Sequence, residues 1–188
     1  MNEKQSPYFI AIIPPAGICE EIAAFKKDFF ERFGSRAALK VIPHITLKAP
    51  FKLPVSGHDG LLKWFRQLSV NTEPFTVELK DFGVFPTSHS PVVYINVRMK
   101  PGLYALQKEI MAAFGPAYPQ AEITEQELSF HPHITIAYRD LHPDRFREAW
   151  KEYGTKKYSA IFSVNEFLLL QHNEKQREIL DTCTLHST

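Results

Sequence analysis

Apolar positions along the chain recur at two periods, about 3.6 and 2, and each change of period marks a boundary between elements. Residues 8–13 form a short apolar run closed by Pro14-Pro15, which predicts a strand. Over residues 18–33 the apolar side chains Ile22, Phe25, Phe29, Phe30 and Phe33 fall at near-helical spacing, and Gly34 is placed to close that helix. A strand through Pro43, His44, Ile45 and Thr46 follows, interrupted by Pro50 and Pro54. Residues 61–68 read as a short amphipathic helix and residues 75–82 as an alternating strand. After a turn-rich break at residues 86–91 the order repeats, with strand 92–97, helix 103–114, a loop holding Gly115, Pro116 and Pro119, strand 133–138, helix 143–153 and strand 161–170. A hairpin through residues 172–175 leads to a last strand over residues 178–184.

The repeat is close to regular: Tyr8 and Val92 are 84 positions apart, and His44 and His133 are 89 apart. Two related halves are therefore expected, divided near residues 90 and 91. No Gly/Ser linker or shift of composition separates them, so residues 1–188 read as one domain of two lobes.

The chemistry sits at corresponding points of the repeat, because Pro-His-Ile-Thr occurs at residues 43–46 and again at residues 132–135. From the numbers of His, Pro and Thr in the chain, random placement would produce roughly 0.03 strings of the form Pro-His-x-Thr. In an extended strand His44 and Thr46 point to one face while Ile45 and Leu47 point to the other, and His133 and Thr135 repeat this against Ile134 and Ile136. Each string thus presents an imidazole beside a hydroxyl, backed by aliphatic residues able to anchor the strand. Packed as pseudo-two-fold mates, the two strands would face each other across a groove.

With these motifs, standing as PHITLKAPF and HPHITIAYRD, the chain resembles the two-histidine phosphoesterase superfamily. That group includes bacterial 2',5' RNA ligase-like proteins and 2',3'-cyclic nucleotide phosphodiesterases. The likeness runs from the opening YFIAIIPP to the closing NEFLLLQHN and REILDTCTL. It implies an α+β fold of two pseudo-symmetric βαβ-containing lobes, with antiparallel sheets around a central cleft and one motif from each lobe. It further implies convergence of His44, Thr46, His133 and Thr135, and a reaction needing no metal or other cofactor. The substrate class it implies is a nucleotide or RNA end carrying a cyclic phosphate, with hydrolysis as the reaction and reversible ligation as its counterpart.

Those residue types suit that chemistry. Opening a cyclic phosphate takes a proton from water and gives one to the departing sugar oxygen, and histidine titrates near neutrality, so one imidazole can act as base and the other as acid. Which does which is open at this point. Thr46 and Thr135 would donate hydrogen bonds to the non-bridging oxygens. If the strands stay regular, Lys48 shares the face of His44 and Arg139 that of His133, adding a cation for phosphate beyond each hydroxyl; a solvated strand-end charge is the plainer reading of both. Phe51, Phe85, Phe130 and Tyr138 lie near the motifs or the breaks, where a base can stack, although most aromatics belong to the core. Residues 117–129, rich in Glu and Gln, read as a flexible rim able to gate the cleft.

Rival readings remain. His131 shares the face of His133, so His44, His131 and His133 form a candidate three-histidine metal site, which would leave the paired threonines unexplained. A nucleotide-binding or RNA-end-binding module without turnover is the other. The balance of 22 Lys and Arg against 21 Asp and Glu argues against a long footprint on duplex nucleic acid. The opening apolar run is too short for a signal segment or membrane span. The two cysteines, Cys19 and Cys183, have no CxxC spacing, which fits reduced thiols in a cytoplasmic protein. A monomer is expected.

Overall fold

Strand β1, Gln5–Ile12, carries apolar side chains on both faces, as a central strand must: Tyr8, Ile10 and Ile12 point one way and Phe9 and Ala11 the other, and all five are buried. In the computed structural model, which describes residues 3–87, 89–172 and 177–187, β1 pairs antiparallel with β2 (Ile45–Pro54) on one side and β7 (Glu166–His172) on the other. β8, Arg177–Thr184, completes a sheet of order β2-β1-β7-β8. The second sheet has the order β5-β4-β3-β6, from β3 (Phe75–Phe85), β4 (Val92–Arg98), β5 (His133–Ala137) and β6 (Ser159–Val164), all antiparallel.

Helix α1, Ala16–Phe33, starts directly after the two prolines and buries Ile22, Lys26, Phe29 and Phe33. It ends where Gly34 takes φ +76°: the Gly34 N–H donates to the Phe30 carbonyl and the Ser35 N–H to that of Phe29. These two bonds close a Schellman motif that glycine enters without a steric penalty. Helices α2 (His58–Arg66), α3 (Pro101–Ala117), α4 (Glu125–Leu128) and α5 (Pro143–Tyr153) follow. The helix of each half packs under the motif strand of the other, α1 against β5 and α3 against β2. One continuous core therefore runs through both sheets, from Tyr8 and Phe29 to Ile95, Ile134 and Phe162.

The α+β architecture with two antiparallel sheets is the one expected, but the lobes do not divide near residue 90. β3 precedes that point and belongs to the second sheet, while β7 and β8 return to the first. The single strand expected over residues 161–170 is two strands, β6 and β7, which lie in different sheets on either side of Asn165. The alternation of β6 gives way in β7 to the continuous apolar run 167–170, buried on both faces as a central strand is, and that change of pattern does not by itself specify a crossover between sheets. β2 also runs on through Pro50: proline is tolerated on the outer side of an edge strand, and the register slips there. β7 and β8 pair antiparallel as a hairpin requires, while residues 173–176 of the expected turn lie outside the described residues.

Candidate functional site

Both motif strands are edges of their sheets, and those two edges, β2 and β5, meet in the fold. Within each, the aliphatic residues Ile45, Leu47, Ile134 and Ile136 are buried, whereas His44, Thr46, His133 and Thr135 are only partly covered. Alternation thus presents imidazole and hydroxyl on the open face of each strand.

The two histidines are held in the same way. His44 Nδ1 lies 2.7 Å from the Ile42 carbonyl and His133 Nδ1 lies 2.8 Å from the His131 carbonyl, each two residues back along the chain. A carbonyl oxygen only accepts, so Nδ1 carries the proton in both rings. The neutral tautomer then has its lone pair on Nε2, and that nitrogen is the one able to take or give a proton. The approach to His44 is fixed further by Lys26 on α1, whose buried Nζ donates to the Val41 carbonyl at 2.6 Å.

His133 sits among aromatic rings. Phe85 stands 5.0 Å away, edge to face, and Tyr94 5.2 Å away, while His131 makes its own ring contact with Phe85 and has Nε2 3.3 Å from the Tyr94 hydroxyl. Burial disfavours the charged imidazolium and lowers the His133 pKa; the backbone bond to His131 opposes this and the charge of His131 adds to it. His44 faces the Phe9 ring at 5.3 Å.

Three residues of this neighbourhood escaped the sequence reading. Residues opposite each other in an antiparallel pair share a face, so Asn96, opposite His133, and Tyr94, opposite Thr135, line the same side of the second sheet. Gly83 lies opposite Tyr94 and makes room for it. The signal was available in β4, where Tyr94 and Asn96 interrupt the apolar series Val93, Ile95 and Val97, and only the pairing gives it meaning. A Cβ at position 83 would come within 2.5 Å of the Tyr94 ring and 2.8 Å of Asn96 Oδ1. Gly83→Ala is therefore expected to destabilise the protein by roughly 1–3 kcal/mol through overpacking, read as a lowered Tm; an unchanged Tm would show that the ring can move aside.

Lys48 is not at the open face. Thr46 pairs with Ala11 but Lys48 pairs with Ile10, so Leu47 is an extra residue in the ladder and the parity inverts at this bulge. Lys48 consequently points to the core side, 1% exposed, where Nζ contacts Glu127 Oε1 at 2.7 Å. The expected flexible rim is tied down by the same pair. Thr124 caps α4 in a capping box with Glu127, and the Glu127 carboxylate also accepts from the Ala49 N–H at 2.8 Å.

Arg139 departs from its expected place for a different reason. β5 ends at Ala137, and Arg139 has φ +67°, exposed, with its guanidinium 5.1 Å from the Tyr138 ring centroid. The strand is not regular as far as position 139, so parity with His133 is lost. Among the stacking candidates, Phe51 is a core residue against Phe114, and Phe130 packs on the core margin, leaving Phe85 beside the motif. His44, His131 and His133 do not assemble as ligands: among the described residues no group of three His, Cys, Asp or Glu is arranged to hold a metal ion. No helix among those residues is long and apolar enough to cross a membrane.

Comparison with known proteins bears on the family and the fold. The family model described as the 2'-5' RNA ligase superfamily matches residues 14–176. A Bacillus cytotoxicus protein named "Putative phosphoesterase" is 34% identical over 128 residues, covering 68% of this chain and 67% of its own. A Geobacillus kaustophilus protein of the same name is 29% identical over 168 residues, covering 89% and 88%. Among solved structures, E. coli LigT complexed with 3'-AMP superposes with a TM-score of 0.70 at 22% identity, over 98% of this chain and 100% of that one. LigT has also been solved with phosphate, NADP+ and ATP.

Proposed function

The chain belongs to the 2'-5' RNA ligase superfamily, and from that premise we propose that it is a phosphodiesterase that opens 2',3'-cyclic phosphates at RNA ends, or related small cyclic phosphates, with ligation as the reverse of the same step. The observation that carries this reading is the matched anchoring of His44, directly before β2, and His133, the first residue of β5, at two neighbouring sheet edges, which leaves Nε2 of each as the proton-transfer atom. The nucleotides bound by LigT support a substrate of that class.

In this mechanism one neutral Nε2 takes a proton from water as its oxygen attacks phosphorus, and the other, protonated, delivers a proton to the sugar oxygen as its bond to phosphorus breaks. Thr46 and Thr135 donate to the non-bridging oxygens, where negative charge must be held during the displacement. Phe85, partly exposed beside His133, offers a ring face for a base. The direction of the His133 pKa, lowered by burial, favours that ring as the base, since a neutral Nε2 is what the base needs.

The direct test is incubation with 2',3'-cyclic AMP in the presence of a chelator, followed by 31P NMR. Conversion to a phosphomonoester is expected. Binding without product would favour a nucleotide-binding module, and activity lost to the chelator would favour a metal hydrolase. A second outcome concerns pH. The base must be unprotonated, so kcat/KM is expected to fall as pH drops through the depressed His133 value, with a midpoint below the ordinary 6.5. An acid limb at or above 6.5 would remove His133 from that role.

A further inference from the structure

Two carboxylates that take no part in the proposed proton transfers tie the motifs together, and they do so reciprocally. Glu127 lies six positions before His133 and holds the strand of the first motif. Its Oε1 accepts from Lys48 Nζ at 2.7 Å and from the Ala49 N–H at 2.8 Å, four and five positions after His44. Its Oε2 accepts from the Thr124 N–H at 2.9 Å and the Thr124 hydroxyl at 3.1 Å. Asp140 lies seven positions after His133 and holds the segment that leads into the first motif. Its Oδ1 accepts from the Ser35 hydroxyl at 2.8 Å, and its Oδ2 from the Arg36 and Ala37 N–H groups at 3.0 and 2.9 Å.

Each motif is thus tied on one flank to the chain that precedes or follows the other. Both carboxylates are close to saturated with donors: Glu127 is buried, while Asp140 is exposed and holds its segment through three bonds, two of them to consecutive backbone N–H groups. The left-handed backbone at Arg139 belongs to the same device, since the turn there, with the Asp140 N–H donating to the Tyr138 carbonyl at 2.8 Å, redirects the chain toward residues 35–37.

We propose that Glu127 and Asp140 are positioning residues: two cross-lobe carboxylate ties that set the separation and angle of the two imidazoles across the phosphate site. This rests on the phosphodiesterase reading for its kinetic readout. The motif strands meet along unpaired edges with no backbone ladder between them. Such a junction can slide unless side chains fix it, and displacements of about 1 Å at a reacting centre cost on the order of 10²-fold in rate.

The test uses Asp140→Asn, Glu127→Gln and the paired Lys48→Met/Glu127→Leu, all assayed well below their own Tm. The paired variant removes both buried charges together and guards against the single variant failing to fold. On 2',3'-cyclic AMP, kcat is expected to fall about 10- to 100-fold, with KM changed less than about threefold and the pH limbs unmoved, because the imidazoles keep their own surroundings. Asp140→Glu should recover part of the loss, since it restores the charge at a slightly different reach.

Titration with inorganic phosphate, read by 15N NMR of the imidazoles, separates the readings. In the unaltered protein phosphate should move the signals of both His44 and His133, and in folded variants the joint response should weaken to one ring. If the unaltered protein moves both rings but opens no cyclic nucleotide, the activity reading fails and the ring response of the variants decides the ties. A kcat within about twofold of the unaltered protein in folded Asp140→Asn and in the paired variant, or an undiminished joint response where activity is absent, overturns the proposal. So does a phosphate response from fewer than two rings in the unaltered protein.

Discussion

His44→Ala and His133→Ala are each expected to lower kcat on a 2',3'-cyclic nucleotide by about 10²- to 10⁴-fold, the range for one well-placed proton transfer. Both should leave the fold intact. Neither imidazole is a core side chain: the aliphatic neighbours Ile45 and Ile134 anchor their strands, and each ring is held through Nδ1 to a carbonyl two residues away. Removing the ring takes away Nε2 and the ring contacts with Phe9 or with Phe85 and Tyr94, while the aliphatic anchors of the strand stay in place. The two effects should be far from additive, because acid and base act in one displacement and losing either already removes concerted transfer. The double variant is expected to be little worse than either single one. Measurement of kcat beside a thermal melt checks this, and turnover retained in either single variant would exclude the proposed pair.

Glu127→Ala is expected to produce the largest loss of stability. It strands the Lys48 ammonium, 1% exposed, without its carboxylate, and leaves the Ala49 and Thr124 N–H groups without their acceptor. Breaking one side of a buried pair costs about 3–5 kcal/mol. Replacing both members, as in Lys48→Met/Glu127→Leu, should recover most of it, since no charge is then left unpaired. Denaturant unfolding of the three proteins measures the difference, and a single variant as stable as the double one would show that Lys48 escapes to water.

The same pair makes stability depend on pH. Burial by itself would raise the Glu127 pKa, but the bonds from Lys48, Thr124 and Ala49 outweigh it and hold the carboxyl below its ordinary 4.5. A depressed folded value stabilises the protein above the unfolded pKa, and that contribution is lost as pH falls through the folded one. Acid unfolding should therefore begin below about pH 4.5 and shift in Glu127→Gln.

Short-range pattern carried much of this protein. The period of apolar residues located α1, α3 and α5 and most strands, Gly34 ended α1, and alternation within Pro-His-Ile-Thr put imidazole and hydroxyl on the open face of both motif strands. These are properties of a few adjacent residues, and side-chain direction within a regular strand or helix follows from them alone. Tertiary structure decided the rest. β6 and β7 read as one strand because the switch at Asn165 from an alternating to a continuous apolar series does not by itself say which sheet the chain joins. Tyr94, Asn96 and Gly83 gained meaning only when β4 paired with β3 and β5. Lys48 went to the core instead of the phosphate face because one unmatched residue, Leu47, inverted the parity of β2 against β1. Pairing partners, bulges and buried charge contacts join residues far apart in the chain: Lys48 meets Glu127 across 79 positions and Ser35 meets Asp140 across 105. No local period encodes such meetings, because their free energy exists only after the chain has closed on itself.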